Sequence, residues 1–370
     1  MLQPLPGTEV ADLDTPALVV DLDAVTRNIE KMAAAAKAAG IALRPHSKTH
    51  KSPIFGRRQV AAGAVGLCCQ KVGEAEVMVA GGIDDILVTN EIVGRGKLTR
   101  LAGLARLAKI RTVVDNAEAA AWLGKAARAA GVTLGVLVDC DLGQARTGLA
   151  DPRAAAELGR LVTHIDGLHF DGLQAYHGSI QHVAGWALRR TAADAANAKL
   201  AAFRAAFADA RLVPAIISGA GTGTFNFQAS AGYTEWQCGT YIFMDKEYRD
   251  AGGEDGGPYA TFEQALSVLA TVMSLPTEDR FVVDAGLKTI SVDGGVPELR
   301  DLPGWKFAFG GDEHGKLLRN GAIGQPKLGD KVHLIPGHGD TTINLHDEYF
   351  VVSGGRLVGV WPVAARGKIR

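Results

Sequence analysis

Cysteine is scarce, with four in 370 residues (Cys68, Cys69, Cys140, Cys238), two of them adjacent and none in a C-x-x-C spacing. That argues against a disulfide framework and predicts reduced thiols packed as small hydrophobes in a cytoplasmic protein. Excess charge of either sign is also missing: 39 basic residues face 40 acidic ones, for a formal net charge of −1. With no basic run and no acidic tail, no nucleic-acid partner is expected. Alanine-rich stretches are broken by Lys, Arg or Glu, so no apolar span approaches membrane length and no membrane association is expected. The opening M-L-Q-P-L-P-G lacks a charged n-region and an apolar core, so no signal peptide is expected. Repeats and low-complexity linkers are absent.

What is present is an alternation. Strand-like runs fall at 41–47, 65–69, 85–89, 110–114, 133–139, 168–175, 213–218 and 234–238. Helical patterns separate most of them, at 53–63, 72–81, 95–108, 116–130, 152–165 and 185–210. Short apolar strands alternating with amphipathic helices predict βα units and a parallel sheet, and eight of them predict a (β/α)₈ barrel. An open sheet with fewer strands is the alternative. After about residue 260 the character changes to β-like runs at 281–284, 305–309, 331–335, 349–352 and 357–361 with glycine turns, and helix signals nearly vanish apart from 261–270. The expected fold class is α/β, a barrel over 23–260 plus a mostly antiparallel β domain of 1–22 and 261–370, the run at 17–21 joining the latter.

Chemistry concentrates first at Ile41–Ser52, I-A-L-R-P-H-S-K-T-H-K-S. Pro45 keeps Arg44 extended, and in an extended chain Arg44, His46, Lys48 and His50 share a face. Such crowding would depress the pKa of Lys48 and favour the neutral amine that Schiff-base chemistry needs. A basic patch at the end of a surface strand is the competing reading. The loop Ser218–Thr224, S-G-A-G-T-G-T, follows the seventh strand, where barrels commonly hold a phosphate. Its glycines let amides converge on an anion, and Thr222 and Thr224 add hydroxyls. Gly239 and Thr240 form the second half of that cup. A lysine facing a phosphate cup suggests pyridoxal phosphate, or a lysine aldolase acting on a sugar phosphate.

Three further pieces are candidates. Arg146, in the loop after the fifth strand, could hold a phenolate or carboxylate, or could be a surface arginine. Tyr176, His177 and His182 follow the sixth strand as ring-stacker or proton carrier, against a structural role. His338 and Asp340, in I-P-G-H-G-D, suit a hard divalent cation such as Mn²⁺ or Mg²⁺ with open positions, against a simple turn hydrogen bond. Asp312-Glu313-His314 and His346-Asp347 compete for that role.

Taken in order, R-P-H-S-K-T-H-K, C-C-Q-K-V-G-E-A-E, V-T-N-E, Q-A-Y-H-G-S, S-G-A-G-T-G-T, Q-C-G-T-Y-I-F-M-D, D-A-G-L-K, D-E-H-G and G-H-G-D-x-T-x-N-L-H-D resemble the D-threonine aldolase group. Its relatives are D-3-hydroxyaspartate aldolase and eukaryotic-type D-serine dehydratase. The resemblance covers roughly residues 15 to 368. It implies a fold-type III pyridoxal 5'-phosphate enzyme related to alanine racemase, dimeric, with a divalent metal beside the cofactor. By matching motif it implies Lys48 as the Schiff-base lysine, Arg146 as partner of the cofactor O3′, and Tyr176 beside the ring. Gly221, Thr222, Gly223, Gly239 and Thr240 would surround the phosphate, His338 and Asp340 would hold the metal, and His182 would lie near the substrate hydroxyl. Ala220 departs mildly from the usual G-G-G-T-G. Asp340 stands where the dehydratases tend to carry Cys, which favours the aldolase branch. The implied reaction is cleavage of a D-3-hydroxy-α-amino acid (D-threonine, D-phenylserine or D-3-hydroxyaspartate) to glycine and an aldehyde. The alternatives are glyoxylate release from D-3-hydroxyaspartate and β-elimination of D-serine or D-3-hydroxyaspartate to keto acid and ammonia.

Overall fold

The computed structural model describes residues 3–322 and 324–370. The chain divides into two compact units, one of Lys31–Gly239 with Gly367–Arg370, the other combining the chain up to Glu30 with Thr240–Arg366. The chain opens with β1 (Ala17–Asp21) and α1 (Leu22–Ala39), followed by β2 (Ala42–Leu43), α2 (Pro53–Ala61), β3 (Leu67–Cys69) and α3 (Val72–Ala80). Next come β4 (Asp85–Glu91), α4 (Arg95–Leu104), β5 (Lys109–Val114), α5 (Ala117–Ala130), β6 (Leu134–Asp139) and α6 (Pro152–Val162). The unit ends with β7 (Leu168–Ala175), α7 (Trp186–Asp209), β8 (Ile216–Gly219) and β9 (Glu235–Trp236).

These strands form one eight-stranded parallel sheet in the order β2-β9-β8-β7-β6-β5-β4-β3. Its ends meet through Val65 N–H to Leu43 O (2.9 Å), Cys68 N–H to Pro45 O (2.8 Å) and Ser47 N–H to Cys68 O (2.8 Å), so the sheet curls into the expected barrel. Helix boundaries follow local chemistry. Asn116 caps α5 through the Ala119 amide and Gly131 ends it in the left-handed region; Asp151 caps α6, with Pro152 in its first turn.

The barrel interior is layered. An apolar layer of Cys68, Leu87, Val113 and Leu137 fills the middle. Toward the N-terminal ends of the strands lies an ionic layer. Arg44 grips Glu235 with two 2.9 Å bonds and donates to Asp85 Oδ1 at 2.6 Å. Arg111 reaches the same Asp85 oxygen at 2.6 Å and Asp171 at 2.7 Å. Gly135 makes room, since a Cβ there would meet Arg111 and Asp171.

The other unit holds α8 (Lys246–Asp250), β10 (Leu266–Thr277), β11 (Arg280–Val283), β12 (Glu298–Leu299), β13 (Trp305–Phe309) and β14 (Gly315–Arg319). After these come β15 (Lys331–Ile335), α9 (Gly339–Ile343), β16 (Glu348–Ser353) and β17 (Arg356–Pro362). The strands run β13-β14-β11-β10-β1-β16-β17, with β15 on β10 and β12 on β15; every pair is antiparallel except β1 with β16. Leu13, Ala17, Val19, Leu269, Val352 and Leu357 make its core. The helix signal at 261–270 is corrected: β10 occupies Leu266–Thr277 and bonds β1, β15 and β11. Sheet neighbours on both edges override alanine and leucine propensity there.

Candidate active site

The lysine segment departs from its expected geometry. The strand ends at Leu43, and the chain then turns, with Lys51 N–H bonding Ser47 O at 2.7 Å and Lys51 itself at φ 48°. The cationic residues therefore do not share a face. Arg44 is neutralised by Glu235 and Asp85, and Lys51 by Glu74 at 2.5 Å. His46 bonds Thr89 at 2.9 Å and His50 bonds Gln59 at 3.2 Å. Crowding by like charge is thus withdrawn as the means of tuning Lys48. What the turn does is hold that residue half-buried, with its amide on His46 Nδ1 at 3.2 Å.

Around it the glycines are needed for close approach. A Cβ on Gly239 would lie 2.8 Å from Thr49 Oγ1 and 3.2 Å from His46 O, so Gly239 abuts the lysine turn directly. Gln237 N–H on Gly219 O (2.8 Å) ties this strand to the glycine loop after β8. In that loop a Cβ on Gly221 would strike the Gln181 side chain and one on Gly223 the Gln181 backbone. Gln181 also accepts the Gly223 amide at 3.1 Å, so Gly223 supplies close approach rather than a donor. Thr224 is buried and spends its hydroxyl on Gln228 Oε1 at 2.6 Å, which corrects its expected role as an anion donor. Thr222 is buried in the same loop, and Ala220 adopts φ 60°, the left-handed region that an Ala tolerates at a cost. A phosphorylated aldehyde cofactor fits this set. Gly221 and Gly223 let the loop close on Gln181, Gly239 lets the chain close on the lysine turn, and Thr49 Oγ1, buried beside Gly239 with no hydrogen-bond partner among the described residues, is a hydroxyl that suits an anion.

Two further residues meet at the rim. The Arg146 guanidinium stands 5.9 Å from the centroid of the Tyr176 ring, a cation–π contact. Its loop is held by Asp141, which accepts from Gly143 (2.8 Å) and Ala145 (3.1 Å). His182 is half-buried in the turn after β7. Burial pushes the His177 imidazole below its ordinary range, and Asp141 only partly offsets this.

His338, Asp340 and Thr240 belong to the other unit. His338 precedes α9 and Asp340 lies in its first turn. His338 Nδ1 bonds Asp293 Oδ2 at 2.6 Å, and Asp293 is itself held by Ser291 (2.6 Å) and Thr341 (2.7 Å). Burial works against charge on His338, yet Asp340 and Asp293 outweigh it and its pKa rises. Asp245, at the start of α8, accepts from Gly339 N–H at 2.9 Å, and burial pushes it up to about 7. Sequence reading missed both Asp245 and Asp293. Asp245 closes the Q-C-G-T-Y-I-F-M-D motif without a role of its own, and Asp293 opens a D-G-G turn. Among the described residues no group of three or more His, Cys, Asp or Glu side chains is arranged to hold a metal. The His338–Asp340 pair offers two donors, which suits a hard cation that keeps water or substrate at its other positions. The rival motifs are spent elsewhere: Glu313 pairs with Lys288 at 2.6 Å, Asp347 with Arg366, and His346 with Thr289 O at 2.8 Å.

A parallel barrel with a lysine turn against a glycine cup, joined in one chain to an antiparallel sheet, defines the alanine racemase class of pyridoxal phosphate protein. The family profile described as "Alanine racemase, N-terminal domain" matches residues 20–247, and "Putative serine dehydratase domain" matches 265–352. D-threonine aldolase of Arthrobacter sp is 42% identical over 98% of this chain and 95% of its own length. 3-Hydroxy-D-aspartate aldolase of Paracoccus denitrificans is 42% identical with the same coverage. The solved D-threonine aldolase from Filomicrobium marinum superposes with a TM-score of 0.95 at 43% identity, over 99% of both chains. D-threo-3-hydroxyaspartate dehydratase from Delftia sp. HT23 is more distant, at 28% and 0.83 over 96% of this chain and 98% of its own. The chain belongs to the alanine racemase family and, within it, to the group of D-threonine and 3-hydroxy-D-aspartate aldolases, which are lyases. Among the described residues no helix is long and apolar enough to cross a membrane.

Proposed function

We propose that this protein cleaves D-3-hydroxy-α-amino acids, D-threonine-like in shape, to glycine and an aldehyde, using pyridoxal 5'-phosphate and a divalent cation, Mn²⁺ or Mg²⁺. The observation that supports the reading is the packing of the lysine turn on Gly239, where a Cβ would lie 2.8 Å from Thr49 Oγ1 and 3.2 Å from His46 O. The barrel unit is assigned the cofactor and the β unit the cation. Pyridoxal phosphate, when bound, supplies an electron sink for the pair released when the Cα–Cβ bond breaks.

The chain's residues do the rest. Lys48 Nζ would be the amine that holds the cofactor. Gly221, Thr222, Gly223 and Gly239 would seat the phosphate, with Thr222 Oγ1 a hydroxyl donor. Arg146, held over Tyr176, would pair with the cofactor O3′. His338 and Asp340 would hold the cation, whose chemistry when bound would be to acidify a hydroxyl. His182 Nε2 takes the hydroxyl proton as general base. Asp340, a carboxylate rather than a thiolate, supports a hard cation and the aldolase outcome over elimination. The enzyme is read as a cytoplasmic homodimer, its four free and buried cysteines in keeping with a reducing compartment.

The test is a panel of D-threonine, D-phenylserine, D-3-hydroxyaspartate and D-serine, scored for glycine plus aldehyde against ammonia plus keto acid. Glycine and aldehyde support the proposal; ammonia and keto acid with no glycine would replace it by a dehydratase.

A further inference from the structure

The turn that carries His182 and the glycine loop after β8 are joined at one peptide. Gly223 N–H donates to Gln181 Oε1 at 3.1 Å, and Gly223 O accepts from Arg189 Nε at 3.0 Å. The same two side chains also hold the turn. Gln181 Nε2 donates to His177 O at 3.0 Å, and Arg189, in the first turn of α7, donates Nη1–H to Val183 O at 2.9 Å. The Gly223 peptide is therefore gripped at both of its polar ends. The second bonds of the gripping side chains fall on either side of His182 in the chain.

Gln181 and Arg189 are both buried, so a group left unpaired between them would have no water to turn to. The contact is close as well as polar. A Cβ on Gly221 would lie 2.4 Å from Gln181 Oε1, and one on Gly223 would lie 2.1 Å from Gln181 O. Chemistry also fixes the direction of the amide. Gly223 N–H can only donate and His177 O can only accept, so Oε1 faces the loop and Nε2 faces the turn. Gln181 Nε2 reaches Thr224 Oγ1 as well, at 3.0 Å, and Thr224 gives its own proton to Gln228 Oε1 at 2.6 Å. Gln228 Nε2 donates to the Tyr233 hydroxyl at 3.0 Å, which donates to Ala175 O, the last residue of β7, at 3.1 Å. The relay returns to the strand from which the turn departs. Loop and turn thus form one closed, buried hydrogen-bonded circuit.

We propose that Gln181 and Arg189 are positioning residues that set the glycine loop and His182 against each other, so that anion binding at the loop is coupled to the placement of that imidazole. The inference deepens the proposed reaction and rests on its assignment of the loop to phosphate and of His182 to the substrate proton. An anion seated on the loop fixes the Gly223 peptide. Through that peptide it fixes the backbone before and after His182. Without the two ties each segment keeps its own fold but no longer holds the other in register.

The experiment uses the full-length chain as wild type, Gln181→Glu, Gln181→Met and Arg189→Lys. Gln181→Glu keeps the shape and the acceptor for Gly223 but removes the donor to His177 O. Gln181→Met removes both, and Arg189→Lys replaces a forked donor by a single point of charge. In histidine-labelled protein without added cofactor, inorganic phosphate should shift the His182 imidazole NMR signals, assigned with His182→Gln. At phosphate concentrations that calorimetry shows to be saturating, the shift should be lost in both Gln181 variants. The second reading is turnover at saturating pyridoxal phosphate. In all three positioning variants kcat should fall by about tenfold to a hundredfold, while KM for D-threonine stays near the wild-type value. A purely structural role would lower the melting temperature and leave kcat at saturation alone. Variants with wild-type kcat, or an undiminished His182 shift in the Gln181 variants, overturn the coupling. Should a variant fail to fold, the wild type still decides, since phosphate that binds without moving the His182 signals overturns it too. A wild type that shows the shift yet makes no glycine from any D-3-hydroxy amino acid overturns the proposed reaction and leaves the coupling standing.

Discussion

Asp293 Oδ2 lies 2.6 Å from Nδ1 of His338, and in the proposed cation site that contact would select Nε2 as the ligating nitrogen. With Nδ1–H donated to the carboxylate, Nε2 carries the lone pair. Burial would raise the Asp293 pKa, but hydrogen bonds from Ser291, Thr341 and His338 hold it down at about 2, so the acceptor stays ionised across the working pH range. Asp293→Asn should weaken Mn²⁺ binding by about 10- to 100-fold, measured by titration calorimetry on the purified protein. An unchanged dissociation constant would remove Asp293 from the site.

Chelator treatment should abolish aldehyde release, and Mn²⁺ or Mg²⁺ should restore it. Asp340→Ala should not be restored at matched concentrations. Chelator-resistant glycine production would argue against any part for the cation.

Lys48→Ala should lose both the visible absorbance of a lysine-bound cofactor and its covalent capture by borohydride. Turnover should fall below detection in a coupled aldehyde assay. A variant that still reduces onto another lysine would show that the amine was wrongly chosen.

Gly239→Val tests the cradle. Its side chain would enter the space between His46 O and Thr49 Oγ1, so cofactor affinity should drop by more than tenfold, about 1.4 kcal/mol. The protein should still fold, as judged by circular dichroism. Equal affinity measured by spectral titration would place the phosphate elsewhere.

Arg44→Ala should be severe for stability rather than chemistry. It leaves Glu235 buried and Asp85 half-buried, both short of a partner. Breaking one side of a buried pair costs about 3–5 kcal/mol, and urea unfolding would report it as a lower midpoint. Arg44→Met should recover little, because the acids remain.

The barrel was legible because its signals are local and repeat. Each β/α alternation shows in the residues, and Asn116, Asp151, Gly131 and Pro152 mark helix ends that propensity alone would leave vague. Leu266–Thr277 was misread because a 12-residue strand bonded on both sides owes its state to partners far away in sequence. Lys48 stands out in the sequence, but the shared cationic face expected around it does not form. Pro45 does extend Arg44, yet the turn at Ser47–Lys51 depends on the hydrogen bond between those two residues, and the charges of Arg44 and Lys51 are answered by Asp85, Glu235 and Glu74. Gln181 and Asp293 escaped notice for a related cause: each hydrogen-bonds a residue distant in sequence, and nothing in a one-dimensional pattern marks that neighbour.

The chain of charges Glu235, Arg44, Asp85, Arg111 and Asp171 runs through residues of β9, β4, β5 and β7 and the end of β2. Each arginine answers to carboxylates on two other strands. Slippage of any one strand by a residue would therefore leave a charge facing the wrong wall. This layer acts as an alignment key for ring closure, and a circularly permuted chain that keeps these five side chains should reassemble the same cylinder in the same order.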